Sequence, residues 1–131
     1  MNYGNADLNK IVGWDVGQVA AVYAARRSGI YKFKTGAALV KDNKVVEIGW
    51  SHVGEIAWSK TPWSTHAEVH AIRRAGPLAA GCDLYIATIS RKGNITMAYP
   101  CNSCEDYLRN TEIKTVRFSI KHDQWGTALI S

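Results

Sequence analysis

Two short motifs, His66-Ala67-Glu68 and Pro100-Cys101-Asn102-Ser103-Cys104, constrain this chain more than any other feature. Each stands at the expected start of a helix that follows a loop or a strand end. If they act together, the fold must bring one imidazole and two thiolates from separate helix starts to a common point. That donor set suits zinc, and a catalytic zinc keeps its fourth position for water. Cys101 and Cys104 are three residues apart, so on a helix both sulfurs face one side. At a helix N-terminus the unpaired N–H groups and the dipole favour thiolate over thiol. Pro100 suits that place, because its missing N–H has no intrahelical partner there. Glu68 follows His66 by two residues, about 200° around an ideal helix. The two share a site only if it lies off the helix end, where the carboxylate stands beside a bound water without ligating the metal.

The pattern around the motifs alternates helices with strands. Asp15 to Ser28 is Ala-rich, with Val16, Val19, Ala20 and Tyr23 at helical spacing and Gly29 as a stop. Thr35 to Lys41 and Lys44 to Trp50 are β-rich runs around Asp42-Asn43, which predicts a hairpin. Ser51 to Pro62 reads as a loop. Thr65 to Ala75 reads as a helix that stops at Gly76-Pro77. Asp83 to Ser90 is a strand, Lys92-Gly93-Asn94 a turn, and Ile95 to Ala98 a returning strand. Asn102 to Asn110 reads as a helix and Lys114 to Ile120 as a strand. Gln124 to Ile130 is open between a short helix and a strand. The expected fold is an α/β, three-layer α/β/α sandwich around a mixed sheet of about five strands.

The chain has 131 residues, which suits one domain spanning 1–131. Its hydrophobic fraction of 47% and charged fraction of 21% are ordinary for a globular protein. No apolar run is long enough to cross a bilayer. Met1 to Lys10 is polar and does not read as a secretory signal, so a cytoplasmic location is expected. Three cysteines without such a signal argue against a disulfide framework. The net charge of +5 is a mild excess that suits a phosphate-bearing substrate or a nucleic acid.

At its two motifs the chain resembles the zinc-dependent cytidine/deoxycytidylate deaminase superfamily, whose signature is His-x-Glu with Pro-Cys-x-x-Cys. Phe33 to Lys41 with Asn43 to Gly49 looks like that superfamily's first hairpin, and Thr65 to Ile72 like its first zinc helix. The resemblance implies zinc on His66, Cys101 and Cys104, with Glu68 moving protons between water, the ring nitrogen and the departing amine. It further implies substrate contacts from Ala67 and Tyr99; Trp63, Ser51, His52 and Phe33 are further candidate contacts. The implied activity is hydrolytic deamination of a cytosine-bearing nucleoside or nucleotide to the uracil form. Alternatives are a deaminase of single-stranded DNA or RNA, and a zinc-bound binding module without turnover. Family members often assemble, so a homo-oligomer is expected.

Other readings of the same residues compete. His70 lies four residues after His66 and could complete a four-ligand structural zinc site; the simpler expectation is that it packs between helix and sheet. A metalloprotease motif needs Glu directly after its first His, where Ala67 stands. Cys101-x-x-Cys104 alone would also suit a redox pair. Cys82 reads as a small buried hydrophobe. Trp50, Trp58, Trp63, Tyr99 and Trp125 are candidates for an aromatic pocket, or for ordinary core. Arg26, Arg27, Arg73, Arg74, Arg91 and Lys92 are candidates for holding phosphates, or are solvated surface charge. Free cytidine deaminases carry an Asn-rich stretch after the second strand. Here that region reads Gly49 to Glu55, so Ser51, His52 or Glu55 would have to meet the sugar.

Overall fold

The computed structural model describes residues 15–30, 33–53, 64–98 and 107–129. Helix α1 (Val16–Arg26) starts at the N-cap Asp15. The Gln18 N–H donates to Asp15 Oδ1 at 3.0 Å, and the Asp15 N–H donates to Gln18 Oε1 at 2.7 Å. This reciprocal box satisfies two N–H groups that have no carbonyl in the first turn.

Strands β1 (Phe33–Lys41) and β2 (Lys44–Trp50) pair antiparallel around Asp42 and Asn43. Both turn residues take positive φ, 53° and 61°. Two left-handed central residues define the tight turn whose twist matches a hairpin, and Asp and Asn tolerate that region better than most residues. The short strands β3 (His52–Val53) and β4 (Ser64–Thr65) pair with each other. The sequence pattern reads residues 52 and 53 as part of a loop and Thr65 as part of the helix. Pairing of His52 with Thr65 corrects both, and helix α2 (Ala67–Ala75) begins after the N-cap His66.

A 3-10 turn over Gly76–Ala79 leads to β5 (Asp83–Ser90). The chain folds back as β6 (Ile95–Thr96), and then supplies β7 (Thr115–Lys121) and β8 (Gln124–Leu129). Among the described residues the main sheet has the order β2-β1-β5-β7-β8, with β6 paired to β5. Strands β5 and β7 are parallel and the other pairs antiparallel, so the sheet is mixed. The open question over residues 124–130 is settled as a strand for 124–129. Of the helix expected over 102–110, residues 107–109 are helical, and 99–106 lie outside the described residues.

Alternation along β1 sorts the core into two layers. Ala37 and Leu39 face α2, with Ala67, Ala71, Ile72, Ile86 and Phe118. Ala38 and Val40 face α1, with Ala21, Val22, Ala25, Tyr85 and Trp125. Each helix presses its backbone against a glycine in the sheet. A Cβ on Gly36 would lie 2.1 Å from Ala25 N, and one on Gly49 would lie 2.3 Å from Ala71 N. Such contact also requires small residues on the helix, which explains the inner face of Ala21, Ala24 and Ala25. Val16, Val19 and Tyr23, whose spacing announces α1, lie on its exposed face.

Strands β5 and β7 keep register from Asp83↔Thr115 to Ile86↔Phe118. Beyond that point β6 enters, with Thr96 opposite Thr88. Ser119 Oγ donates to the Thr96 carbonyl at 2.7 Å and accepts from the Thr88 N–H at 3.2 Å. The Ala98 N–H donates to the Ser119 carbonyl at 2.9 Å. The chain is thereby delivered to the end of the sheet immediately before Tyr99 and the second motif.

Candidate functional site

His66 is the N-cap of α2, with φ −75° and ψ 147°, outside helical geometry. Its carbonyl accepts the His70 N–H at 3.0 Å, while its imidazole makes no capping hydrogen bond and is exposed. Because His66 stands off the helix, the angular separation of an ideal helix does not apply between it and Glu68. Glu68 lies in the first turn of α2 and is only 4% exposed. A buried carboxylate is costly unless its surroundings hold it; the positive end of the helix dipole favours negative charge at this position.

The wall beside the start of α2 is the end of β2 and β3. The His70 Nδ1 accepts the Trp50 N–H at 3.1 Å, and its ring meets those of Trp50 and His52 edge-on at 4.7 and 4.5 Å. Burial, chiefly, with the neighbouring His52 and Arg74, pushes the His70 pKa below its ordinary value. A neutral ring that accepts at Nδ1 carries its proton on Nε2 and offers no lone pair there. This argues against His70 as a fourth zinc ligand and agrees with its packing between helix and sheet. His52 Nδ1 lies 2.9 Å from the Trp50 carbonyl.

Ser51 is buried and braces the ends of three segments. Its hydroxyl accepts the Thr35 N–H at 3.1 Å and shares a 2.9 Å hydrogen bond with Ser28 Oγ, while its N–H donates to the Thr35 carbonyl at 2.9 Å. Ala67 has its methyl in the α2-side core; as the first helical residue its N–H is among those lacking an intrahelical carbonyl. Phe33, at the start of β1, is 56% exposed and borders a cavity of about 340 Å³ with Ser90, Arg91 and Lys92.

Trp63, Tyr99, Cys101 and Cys104 lie outside the described residues, as do Trp58 and Glu55. Among the described residues no group of three His, Cys, Asp or Glu side chains is placed to hold a metal. The donor chemistry nonetheless fits zinc: His66 is exposed at a helix end, with its imidazole not spent on capping, and the remaining donors, two sulfurs, are of the kind zinc takes. No helix among the described residues is long and apolar enough to cross a membrane.

Of the aromatic candidates, Trp50 and Trp125 are among the described residues, and they do not share a pocket. Trp125 is buried in the α1-side core. The Arg27 and Arg74 guanidiniums lie 4.4 and 5.1 Å from the centre of the Trp50 ring. Arg74 also pairs with Glu47 at 3.3 Å. Those two arginines are thus engaged in structure. Cys82 is fully buried, and its thiol donates to the Leu78 carbonyl at 3.2 Å. Burial pushes that thiol's pKa up, against an opposing pull from Lys41. The Ser28–Ser51–Thr35 brace was missed in the sequence, where serines far apart in the chain carry no signal of contact.

The family model for the cytidine and deoxycytidylate deaminase zinc-binding region matches residues 17–120. No curated protein matches the chain. Among solved structures, the apo dCMP deaminase of cyanophage S-TIM5 is similar over 77% of this chain and 80% of its own, at 18% identity and a TM-score of 0.52. The Mycobacterium tuberculosis cytidine deaminase is similar over 84% of this chain and 90% of its own, at 21% identity and a TM-score of 0.50. Acinetobacter baumannii RibD is similar over 77% of this chain at 24% identity and a TM-score of 0.50, but the match spans only 26% of RibD. At these identities the likeness establishes the fold, a mixed sheet between helices.

Proposed function

Because the chain belongs to the cytidine and deoxycytidylate deaminase zinc-binding family, we propose that it is a zinc-dependent hydrolase acting on a cytosine-bearing nucleoside or nucleotide. His66, Cys101 and Cys104 are the proposed zinc ligands, and residues 1–131 the proposed single domain. When bound, zinc supplies the Lewis acidity that makes water a competent nucleophile at neutral pH. Glu68 accepts the proton that water loses and returns protons to the ring nitrogen and the exocyclic amine. The bond from C4 to oxygen forms, the bond from C4 to nitrogen breaks, and ammonia leaves. Ala67, Ser51, His52, Phe33, Trp63 and Tyr99 are the proposed substrate contacts.

The observation that carries this reading is the buried carboxylate of Glu68 in the first turn of α2, two residues after an exposed N-cap imidazole. A carboxylate held in the first helical turn beside the proposed metal position is placed to take a proton from water and return it, which is what general acid–base catalysis needs. The test is ammonia release from cytidine, deoxycytidine, their monophosphates, adenosine, guanine and single-stranded oligonucleotides. Glu68→Gln is expected to retain zinc by metal analysis and to lose turnover by about 10²–10⁴-fold. Full activity of that variant overturns the role of Glu68. Purified protein with no zinc overturns the reading as a whole.

A further inference from the structure

Among the described residues β2 is an edge of the main sheet, and Trp50 is its last residue. The next residue, Ser51, turns its N–H to β1, donating to the Thr35 carbonyl at 2.9 Å. Alternation along the strand therefore points the N–H and carbonyl of Trp50 to the open side. An edge residue ordinarily leaves these groups to water or to another strand. Here two imidazoles take them. The N–H donates to His70 Nδ1 at 3.1 Å, and the carbonyl lies 2.9 Å from His52 Nδ1. A carbonyl only accepts, so His52 carries its proton on Nδ1 and its lone pair on Nε2. His70 supplies the opposite half of the imidazole's capacity, an acceptor.

This one peptide joins α2 to the wall of the candidate site. His70 lies one turn after His66, and its N–H donates to the His66 carbonyl at 3.0 Å. His52 pairs with Thr65, the residue before His66. The His52 and His70 rings also meet directly, with centroids 4.5 Å apart. The Trp50 indole is held in place by the guanidiniums of Arg27, the C-cap of α1, and of Arg74 on α2, both of which lie over its ring. Ser51 is braced from the other side by Thr35 and Ser28. Packing between helix and sheet asks of His70 only a ring of this size. The Trp50 N–H asks for its nitrogen.

We infer that His70 is a positioning residue. By holding the Trp50 N–H it fixes the peptide whose carbonyl orients His52, so that His52 offers its Nε2 lone pair to a hydroxyl or amino group of the substrate. That role rests on the deaminase reading, in which His52 is a substrate contact.

Two variants separate the ring from its nitrogen. His70→Phe keeps a ring and removes the acceptor, whereas His70→Asn removes the ring and keeps an acceptor. Kinetics are measured on whichever of the substrates named above the parent turns over fastest. His70→Phe is expected to raise KM about tenfold, with kcat within about threefold of the parent. His70→Asn is expected to return KM to within about threefold. Zinc content should stay at the parental level in both. Amide exchange followed by NMR should quicken at Trp50 in His70→Phe and stay near parental in His70→Asn. His52→Ala should raise KM as well, and adding His70→Phe to it should cost little more, because the two act through one contact. Circular dichroism confirms that each variant is folded; His70→Ala takes the place of His70→Phe if the latter is not. Parental KM in His70→Phe overturns the inference and leaves the deaminase reading standing. So does a fall in kcat at unchanged KM that His70→Asn does not reverse, which is the mark of a merely structural role. Additive effects of the His52 and His70 substitutions overturn it too. A parent that releases no ammonia from any of these substrates overturns both.

Discussion

Gly49→Ala should destabilise this protein far more than a single methyl group suggests. The added Cβ would lie 2.3 Å from Ala71 N, 2.6 Å from the Ala67 carbonyl oxygen and 2.8 Å from Ala71 Cα. All three atoms belong to the backbone of α2, so no side-chain rotation relieves the clash. The helix has to retreat by roughly 1 Å, the shortfall from ordinary contact at about 3.5 Å. Overpacking in a well-filled core costs about 1–3 kcal/mol, and a rigid backbone neighbour places this site at the upper end. Unfolding entropy of about 2.1 cal/mol/K per residue gives roughly 0.28 kcal/mol/K for a chain of this length, so ~3 kcal/mol lowers Tm by about 11 °C. The same retreat moves the turn that carries Glu68, and a displacement of about 1 Å can lower turnover by ~10²-fold. Gly29→Ala is the control, because nothing lies within 4 Å of a Cβ there; it should stay within about 0.5 kcal/mol of the parent. Thermal unfolding by circular dichroism reads both variants. A Gly49→Ala protein that melts within about 2 °C of the parent refutes the close approach of α2 to β2.

Tyr85→Phe removes the hydroxyl that donates to Asp15 Oδ2 at 2.8 Å; with one partner charged but half-exposed, a loss of about 1.5 kcal/mol and ~5 °C in Tm is expected. The folded-state pKa of His70 lies below 6.5, so its contribution to stability is fully present above that pH. As pH falls from there toward the folded pKa the unfolded state binds more protons and the contribution is lost. Urea midpoints measured across this window should therefore fall less steeply for His70→Asn than for the parent, and coincident profiles would count against a neutral buried ring. Cys82, buried and with its thiol pKa raised, should resist iodoacetamide in the native protein and react in urea, as peptide mapping by mass spectrometry will show.

The two motifs and the alternation of helices with strands were legible in the sequence because both depend on near neighbours. Residue types at fixed short spacing announce a metal-binding chemistry, and Asp42-Asn43 between two β-rich runs announces a hairpin. Short pairings and exposed faces were not legible. His52 forms a strand only because Thr65 comes to lie beside it. Residues 124–129 form a strand because β7 offers an edge. The spacing of Val16, Val19 and Tyr23 predicted a helix correctly, but the face it buries is the one carrying Ala21, Ala24 and Ala25, since Gly36 admits the helix too closely for larger residues.

Local sequence thus determined that α1 and α2 are helical, where the tight turn falls, and the residue types offered for chemistry. The tertiary structure decided which charges meet an aromatic ring and which border a surface depression. Of the six basic residues singled out in the sequence, Arg27 and Arg74 cover Trp50, Arg26, Arg91 and Lys92 border depressions at the end of the sheet, and Arg73 is exposed on α2. The physical reason is that covalent geometry limits the conformations of near neighbours, whereas a charge acquires its surroundings only when distant strands close around it.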